Sequence, residues 1–181
     1  MTPRPTPTPV DLSGQVAVVT GAAQGLGLAM ATELATGGGR VVLADVQLAK
    51  AEAAAADLVA QGLEARSVEL DVTDSKAVER VFSAVVEQEG RFDILVNNAG
   101  VGQRLDRISD LPDAEWDRVL AATLTGSFYC GRAAAALMEP QESGAIVNIS
   151  SINGQNPAAL AGAYNVAKAG VITLTRTMAL E

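Results

Sequence analysis

Five short apolar runs, each separated from the next by a stretch with helical spacing, restrict the fold of this chain more than any other feature. They are "QVAVVT" (15–20), "RVVLADV" (40–46), "ARSVELDV" (65–72), "FDILVNNAG" (92–100) and "GAIVNISS" (144–151). Between them lie "GLGLAMATELAT" (25–36), "LAKAEAAAADLVAQ" (48–61), "DSKAVERVFSAVVEQEG" (74–90) and a long helical stretch from about Asp113 to Met138. A last helix is expected from about Ala161 to the end. Gly37–Gly39 and Gly62 are placed as helix stops, and Asp74 as a cap. Strands joined through helices pair in parallel, and a parallel sheet needs cover on both faces. The predicted class is therefore α/β, with helices on both sides of a parallel sheet. No repeat or internal boundary interrupts the pattern, so residues 12–181 read as one domain. Residues 1–11 form a Pro- and Thr-rich stretch, expected as an extended, flexible tail.

Composition removes several classes of function. Apolar residues make up 49 % and charged residues 19 %, which suits a packed core and not a disordered chain. The formal net charge is −8 and no basic stripe appears, so a nucleic-acid partner is not expected. The apolar runs are too short to span a bilayer. The N-terminal "MTPRPTPTPV" has no apolar core of the kind a secretory signal carries. The single Cys130 excludes an intrachain disulfide and fits a reducing, cytoplasmic location. With no His and one Cys, no metal site is expected, and every His-based acid–base scheme is excluded. Proton chemistry must use Tyr, Lys, Asp, Glu or water.

"VVTGAAQGLGLAM" places Gly21, Gly25 and Gly27 between the first strand and the first helix. Glycines there permit a tight turn and let the backbone approach a phosphate. The helix N-terminus then offers free N–H groups to a pyrophosphate. The spacing is G-x-x-x-G-x-G, and the Lys-Ser/Thr of a Walker loop is absent, which disfavours a nucleotide triphosphatase. Asp45 closes the second strand about twenty residues on, where a carboxylate can accept from both adenosine ribose hydroxyls and repel a 2′-phosphate. Neither Val46 nor Gln24 supplies a cation for such a phosphate. The cofactor expected is NAD in preference to NADP.

"TGAAQGLG" (20–27), "LDVTD" (70–74), "NNAG" (97–100), "IVNISS" (146–151) and "YNVAK" (164–168) follow one another in an order and spacing that resemble the short-chain dehydrogenases/reductases. The resemblance runs from about Leu12 to Glu181. It implies a Rossmann-like doubly wound sheet, with Gly21, Gln24, Gly25, Leu26 and Gly27 at the cofactor. It also implies that Asp71 holds the adenine amino group with Val72 beside it, and that Asn98 lies next to a ribose. By the same resemblance Ser151, thirteen residues before the tyrosine, orients the substrate carbonyl. Tyr164 is then the proton donor or acceptor, and Lys168 holds the nicotinamide ribose. Elementary chemistry agrees. A phenol ordinarily titrates near pH 10, and a cation close by favours its ionised form. A lysine four residues on shares the helix face with that phenol. Read alone, Tyr164 and Lys168 would be a polar helix face; the surrounding motifs reverse that reading. The implied reaction is hydride transfer between NAD(H) and a secondary alcohol or ketone.

Two departures from the family pattern bear on activity. "WDRVLAATLTG" carries Thr123 where the family usually has Asn. A shorter hydroxyl in place of an amide is expected to slow proton relay from the lysine. The family also continues into further strands and a substrate-covering segment that follow the final helix, so the C-terminal strands are expected to be missing here. The fifth strand would then be a sheet edge, and Val166, Ile172, Leu174, Met178 and Leu180 would lose cover. A catalytically weak or inactive dinucleotide-binding protein of the same fold is the alternative reading, and an assembly module a third. The resemblance further implies a homodimer or homotetramer through the long helix and the last helix. The specific alcohol or ketone substrate is not encoded in the visible polar rim "GQRLDRISDLPDAEW". Trp116 and Cys130 are expected to pack.

Overall fold

The computed structural model describes residues 10–181; residues 1–9, most of the expected tail, lie outside the described residues. Strand β1 (Val16–Thr20) leads to helix α1 (Gly25–Thr36), then β2 (Arg40–Asp45), α2 (Leu48–Ala60) and β3 (Ala65–Glu69). Helix α3 (Ser75–Glu89), β4 (Ile94–Asn97), α4 (Asp113–Leu120) and α5 (Gly126–Met138) follow, then β5 (Ala145–Asn148) and α6 (Gly162–Met178). All strand pairs are parallel, in the order β3-β2-β1-β4-β5. The order reverses between β1 and β4. A crevice therefore opens beyond the carboxyl ends of these two strands, where ligands of open α/β sheets bind.

Alternation along the central strands feeds two cores. Val16, Val18, Val42 and Leu95 point to one face and pack with Val78, Phe82, Phe92 and Cys130. Ala17, Val19, Val41, Leu43 and Val96 point to the other and pack with Ala31, Ala35, Ala54 and Leu58. Covered on both sides, β1 is buried at every residue. Phe82 and Phe92 meet with ring centroids 4.9 Å apart. Asp74 caps α3, its carboxylate accepting from the Lys76 and Ala77 N–H groups. A third cluster joins α4 to α6 through Val119, Ala163 and Ala167, with Trp116 and Tyr164 against it.

The structure shortens three predicted strands, for identifiable reasons. β3 ends at Glu69, because Asp71 turns the chain by accepting from both the Thr73 N–H and its hydroxyl. β4 occupies only 94–97 of the predicted 92–100: Arg91, Phe92 and Asp93 are tied to other partners before it starts. β5 stops at Asn148, since the Ile149 carbonyl and the Ser150 hydroxyl are both engaged by Lys168 of α6. Ser151 thus stands beyond the strand, as the cap of a single 3₁₀ turn (Ile152–Gly154), and not at the strand's end. The long helix also differs from expectation. A π-helical turn, Ala121–Thr125, separates α4 from α5. Such turns are common at functional sites. β5 lies at the sheet edge, with Val147 47 % exposed, and Val166 and Leu180 are likewise exposed.

Candidate active site

The glycine loop is held in backbone contact with the turn that follows β4. A Cβ on Gly27 would lie 2.1 Å from the Gly21 carbonyl oxygen and 2.6 Å from the Asn98 Nδ2. One on Gly21 would lie 2.9 Å from the Ala99 Cα. Only glycine fits at both places, and Gly21 also has a φ of +64°. The Asn98 amide donates to the Thr20 and Gly21 carbonyls at 3.0 and 3.1 Å. Thr20, at the end of β1, accepts from the Asn98 and Ala99 N–H groups at 3.1 and 3.0 Å. Sequence reasoning passed over Thr20, although a polar residue closing an apolar strand was the available signal. Asn98, expected beside a ribose, has both amide hydrogens committed to bracing the loop.

No side chain caps α1, whose N-terminal residue pair is Gln24 and Gly25, and no acidic residue occupies its first turn. Its leading N–H groups and dipole are therefore available to an anion. Leu26 is exposed beside them. Asp45 is buried, and its two oxygens accept from the Ala23 and Gln47 N–H groups at 3.0 and 2.9 Å. Each carboxylate oxygen has a second acceptor site, so Asp45 can brace the loop and still receive a ligand hydroxyl. Gly21, Gln24, Asp45, Asp71, Val72 and Asn98 come together on one cleft of about 520 Å³. Arg118 also lines it, an unforeseen cation held by two hydrogen bonds to Glu115 and one to the Gly102 carbonyl. The Arg118 guanidinium holds the Glu115 carboxyl down at about 2. Glu-x-x-Arg at helical spacing was the signal for this pair.

Ser151, Tyr164 and Lys168 lie outside the lining of that cleft. Lys168 is only 6 % exposed, and its Nζ donates to the Ile149 carbonyl at 2.7 Å. The same Nζ stands 5.7 Å from the Tyr164 ring centroid, within cation–π range. Burial depresses the Lys168 pKa. No carboxylate forms an ion pair with it among the described residues. Ser151 accepts from the Asn153 N–H at 3.2 Å. Thr123 is fully buried within the π turn, and its hydroxyl oxygen accepts from the Val101 N–H at 3.3 Å. Among the described residues no group of His, Cys, Asp or Glu could hold a metal ion, and no helix is long and apolar enough to cross a membrane.

The short chain dehydrogenase family profile matches residues 15–181. The chain belongs to the short-chain dehydrogenase family. It is similar to an uncharacterized oxidoreductase, YxjF, of Bacillus subtilis (strain 168), at 40 % identity over 92 % of this chain and 65 % of the relative. Among solved structures it resembles NAD+-bound xylitol dehydrogenase, with a TM-score of 0.91, 37 % identity, and 93 % and 65 % of the two chains covered. It also resembles a metagenomic short-chain oxidoreductase in complex with NADP, with a TM-score of 0.88, 42 % identity, and 92 % and 75 % covered. The chain places its glycine loop at the β1/β4 switch point. It spans about two thirds of the length of the curated relatives it matches, 65 % for the first and 62 % for another from the same bacterium.

Proposed function

We propose that this short-chain dehydrogenase transfers a hydride between NAD(H) and a secondary alcohol or ketone. The observation that carries the reading is the buried Lys168 ammonium beside the Tyr164 ring on α6, facing the 3₁₀ turn that bears Ser151. The residues at the switch point fit a dinucleotide: Gly21 and Gly27 leave no room for a Cβ, the space around Gly25 is open, and the α1 N-terminus has no side-chain cap. Gly21, Gln24, Gly25, Leu26 and Gly27 would hold the pyrophosphate, Asp45 the adenosine ribose, and Asp71 with Val72 the adenine. NAD(H), when bound, supplies the hydride acceptor or donor. Ser151 hydrogen-bonds the substrate oxygen, Tyr164 gives or takes the proton there, and Lys168 sets positive charge alongside. Asp45 supports NAD over NADP, because its charge opposes a 2′-phosphate.

Self-association through α5 and α6 belongs to the same proposal; Phe128 and Val166 are exposed on those helices. A reducing, cytoplasmic setting suits the single buried thiol. A non-catalytic dinucleotide-binding protein is the second reading. It is favoured by the position of Ser151 and Tyr164 outside the cleft and by Thr123, which stands where the family usually has Asn and whose hydroxyl oxygen accepts from the Val101 N–H. The deciding experiment measures NADH and NADPH consumption with a panel of ketones, for the native chain and for Tyr164→Phe. Turnover with NADH that disappears in Tyr164→Phe supports the enzyme. NADH binding without turnover on any ketone overturns it in favour of the second reading.

A further inference from the structure

The catalytic-side helix α6 lacks a cap of its own. Its N-cap residue is Ala161, which has no side-chain oxygen, yet the first-turn N–H groups still need partners. The Tyr164 N–H finds one far away in sequence: it donates to the Gln103 Oε1 at 2.9 Å, across sixty-one residues. The same carboxamide turns its Nε2 to the Leu160 carbonyl at 2.9 Å and to the Arg104 carbonyl at 3.0 Å. The Leu160 carbonyl also accepts from the Asp106 N–H at 3.2 Å, and Asp106 bridges to Ala161 in parallel.

Leu160 has a φ of +63°, a left-handed conformation that costs a branched residue energy and persists where neighbours over-determine it. Two donors on its carbonyl do so here. A Cβ on Gly162 would lie 2.6 Å from the Ile108 Cδ1, so the loop after β4 lies flush against the first turn of α6.

We propose that Gln103 is a positioning residue: it caps α6 from the loop after β4 and thereby sets where Tyr164 stands. Both halves of its carboxamide are used. The oxygen caps the helix, and the nitrogen holds the strained residue that leads into it. The role rests on the hydride-transfer reading of Tyr164, but the cap itself can be measured without turnover.

The test compares Gln103→Met, which keeps length and loses every polar contact, with Gln103→Glu, which keeps the acceptor for the Tyr164 N–H. Amide hydrogen exchange at Tyr164 is read by NMR on the full chain, and kcat and the KM for NADH are read on the best ketone of the panel. In Gln103→Met, Tyr164 exchange is expected to rise about tenfold, the loss of one cap hydrogen bond. In the same variant kcat falls by a similar factor, while the KM for NADH stays within about twofold. Gln103→Glu restores at most part of the protection, because the oxygen that replaces Nε2 faces the Leu160 and Arg104 carbonyls. Unchanged Tyr164 exchange in Gln103→Met overturns the proposal. So does a loss of kcat matched by an equal rise in KM for NADH. If the native chain turns over no ketone, the hydride-transfer reading fails and Tyr164 exchange alone decides whether Gln103 caps the helix.

Discussion

Gly27→Ala is expected to be the most damaging single-methyl change in the glycine loop. The added Cβ would lie 2.1 Å from the Gly21 carbonyl oxygen and 2.6 Å from the Asn98 Nδ2. Neither neighbour can swing away. The first is backbone, and the second is committed to the Thr20 and Gly21 carbonyls at 3.0 and 3.1 Å. Relief requires the loop to part from the β4 turn. Two hydrogen bonds lost at about 1 kcal/mol each, plus about 1–3 kcal/mol of overpacking strain, give roughly 3–5 kcal/mol. That is a large share of the roughly 5–15 kcal/mol that holds an ordinary domain together. Gly25→Ala is the internal control. Gly25 has a φ of +60° but nothing within 4 Å of its would-be Cβ, so only backbone strain of about 1–2 kcal/mol is expected. Urea unfolding of both variants measures the stability difference, and quenching of intrinsic fluorescence by NADH measures cofactor affinity. Gly27→Ala should be the less stable by at least about 1 kcal/mol and the weaker binder. A Gly27→Ala variant as stable as Gly25→Ala would refute the claim that a rigid backbone contact shapes the loop.

Asp93 offers a test at the other end of the sheet. Burial alone would raise its carboxyl, but two hydrogen bonds from Arg91 and one from the buried Val16 N–H outweigh it and hold the pKa below the usual value. Its contribution is therefore present above the unfolded value near pH 4 and is lost as pH falls through the lower folded value. Asp93→Ala, which strands the Val16 N–H, should cost about 1–3 kcal/mol at pH 7, with the gap to the native chain narrowing in acid; urea melts at pH 7 and pH 3 check both. Cys130 is fully buried and its thiol is pushed up to about 12 by that burial. It should alkylate at pH 8 at least about a hundredfold more slowly in the folded chain than in urea, as followed by mass spectrometry.

Much of the architecture was written in local pattern. Val16–Val19 and Val41–Leu43 are apolar on both faces, and such runs between helices leave little but a parallel sheet. Gly21, Gly25 and Gly27 were legible because the turn they make is formed by neighbours in sequence. The strand ends were not. β3 stops because Asp71 prefers its own Thr73, and β5 stops because Lys168, nineteen residues on, takes the Ile149 carbonyl. The π turn at Ala121–Thr125 left no mark either, since "AATLT" continues the helical pattern on both sides. Gln103 carried no signal as a cap, because the helix it caps begins far along the chain.

These differences divide the site in two. The half proposed to hold adenosine is built close to home: Gly21–Gly27 and Asp45 come from consecutive elements, and Asp45 ties the loop to its own strand end through the Ala23 and Gln47 N–H groups. That framework supplies one side of the cleft, and the turn after β4 and Arg118 supply another. The half bearing Tyr164 and Lys168 is held by contacts distant in sequence, a small apolar cluster with α4 and three hydrogen-bond clamps. Lys168 grips the Ile149 carbonyl, Ser150 grips the Lys168 carbonyl, and Gln103 grips the Tyr164 N–H. Each clamp is a hydrogen bond between a side chain and backbone, worth on the order of 1 kcal/mol. The apolar cluster behind them is small, with Val119, Ala163 and Ala167 as its buried members. Local openings cost least where buried apolar contacts are few. Exchange and proteolysis should therefore attack the first turn of α6 and the loop after β5 before they touch β1, β2 or α1, so that the half proposed to hold the nucleotide outlasts the half proposed to handle the proton as the chain is destabilised.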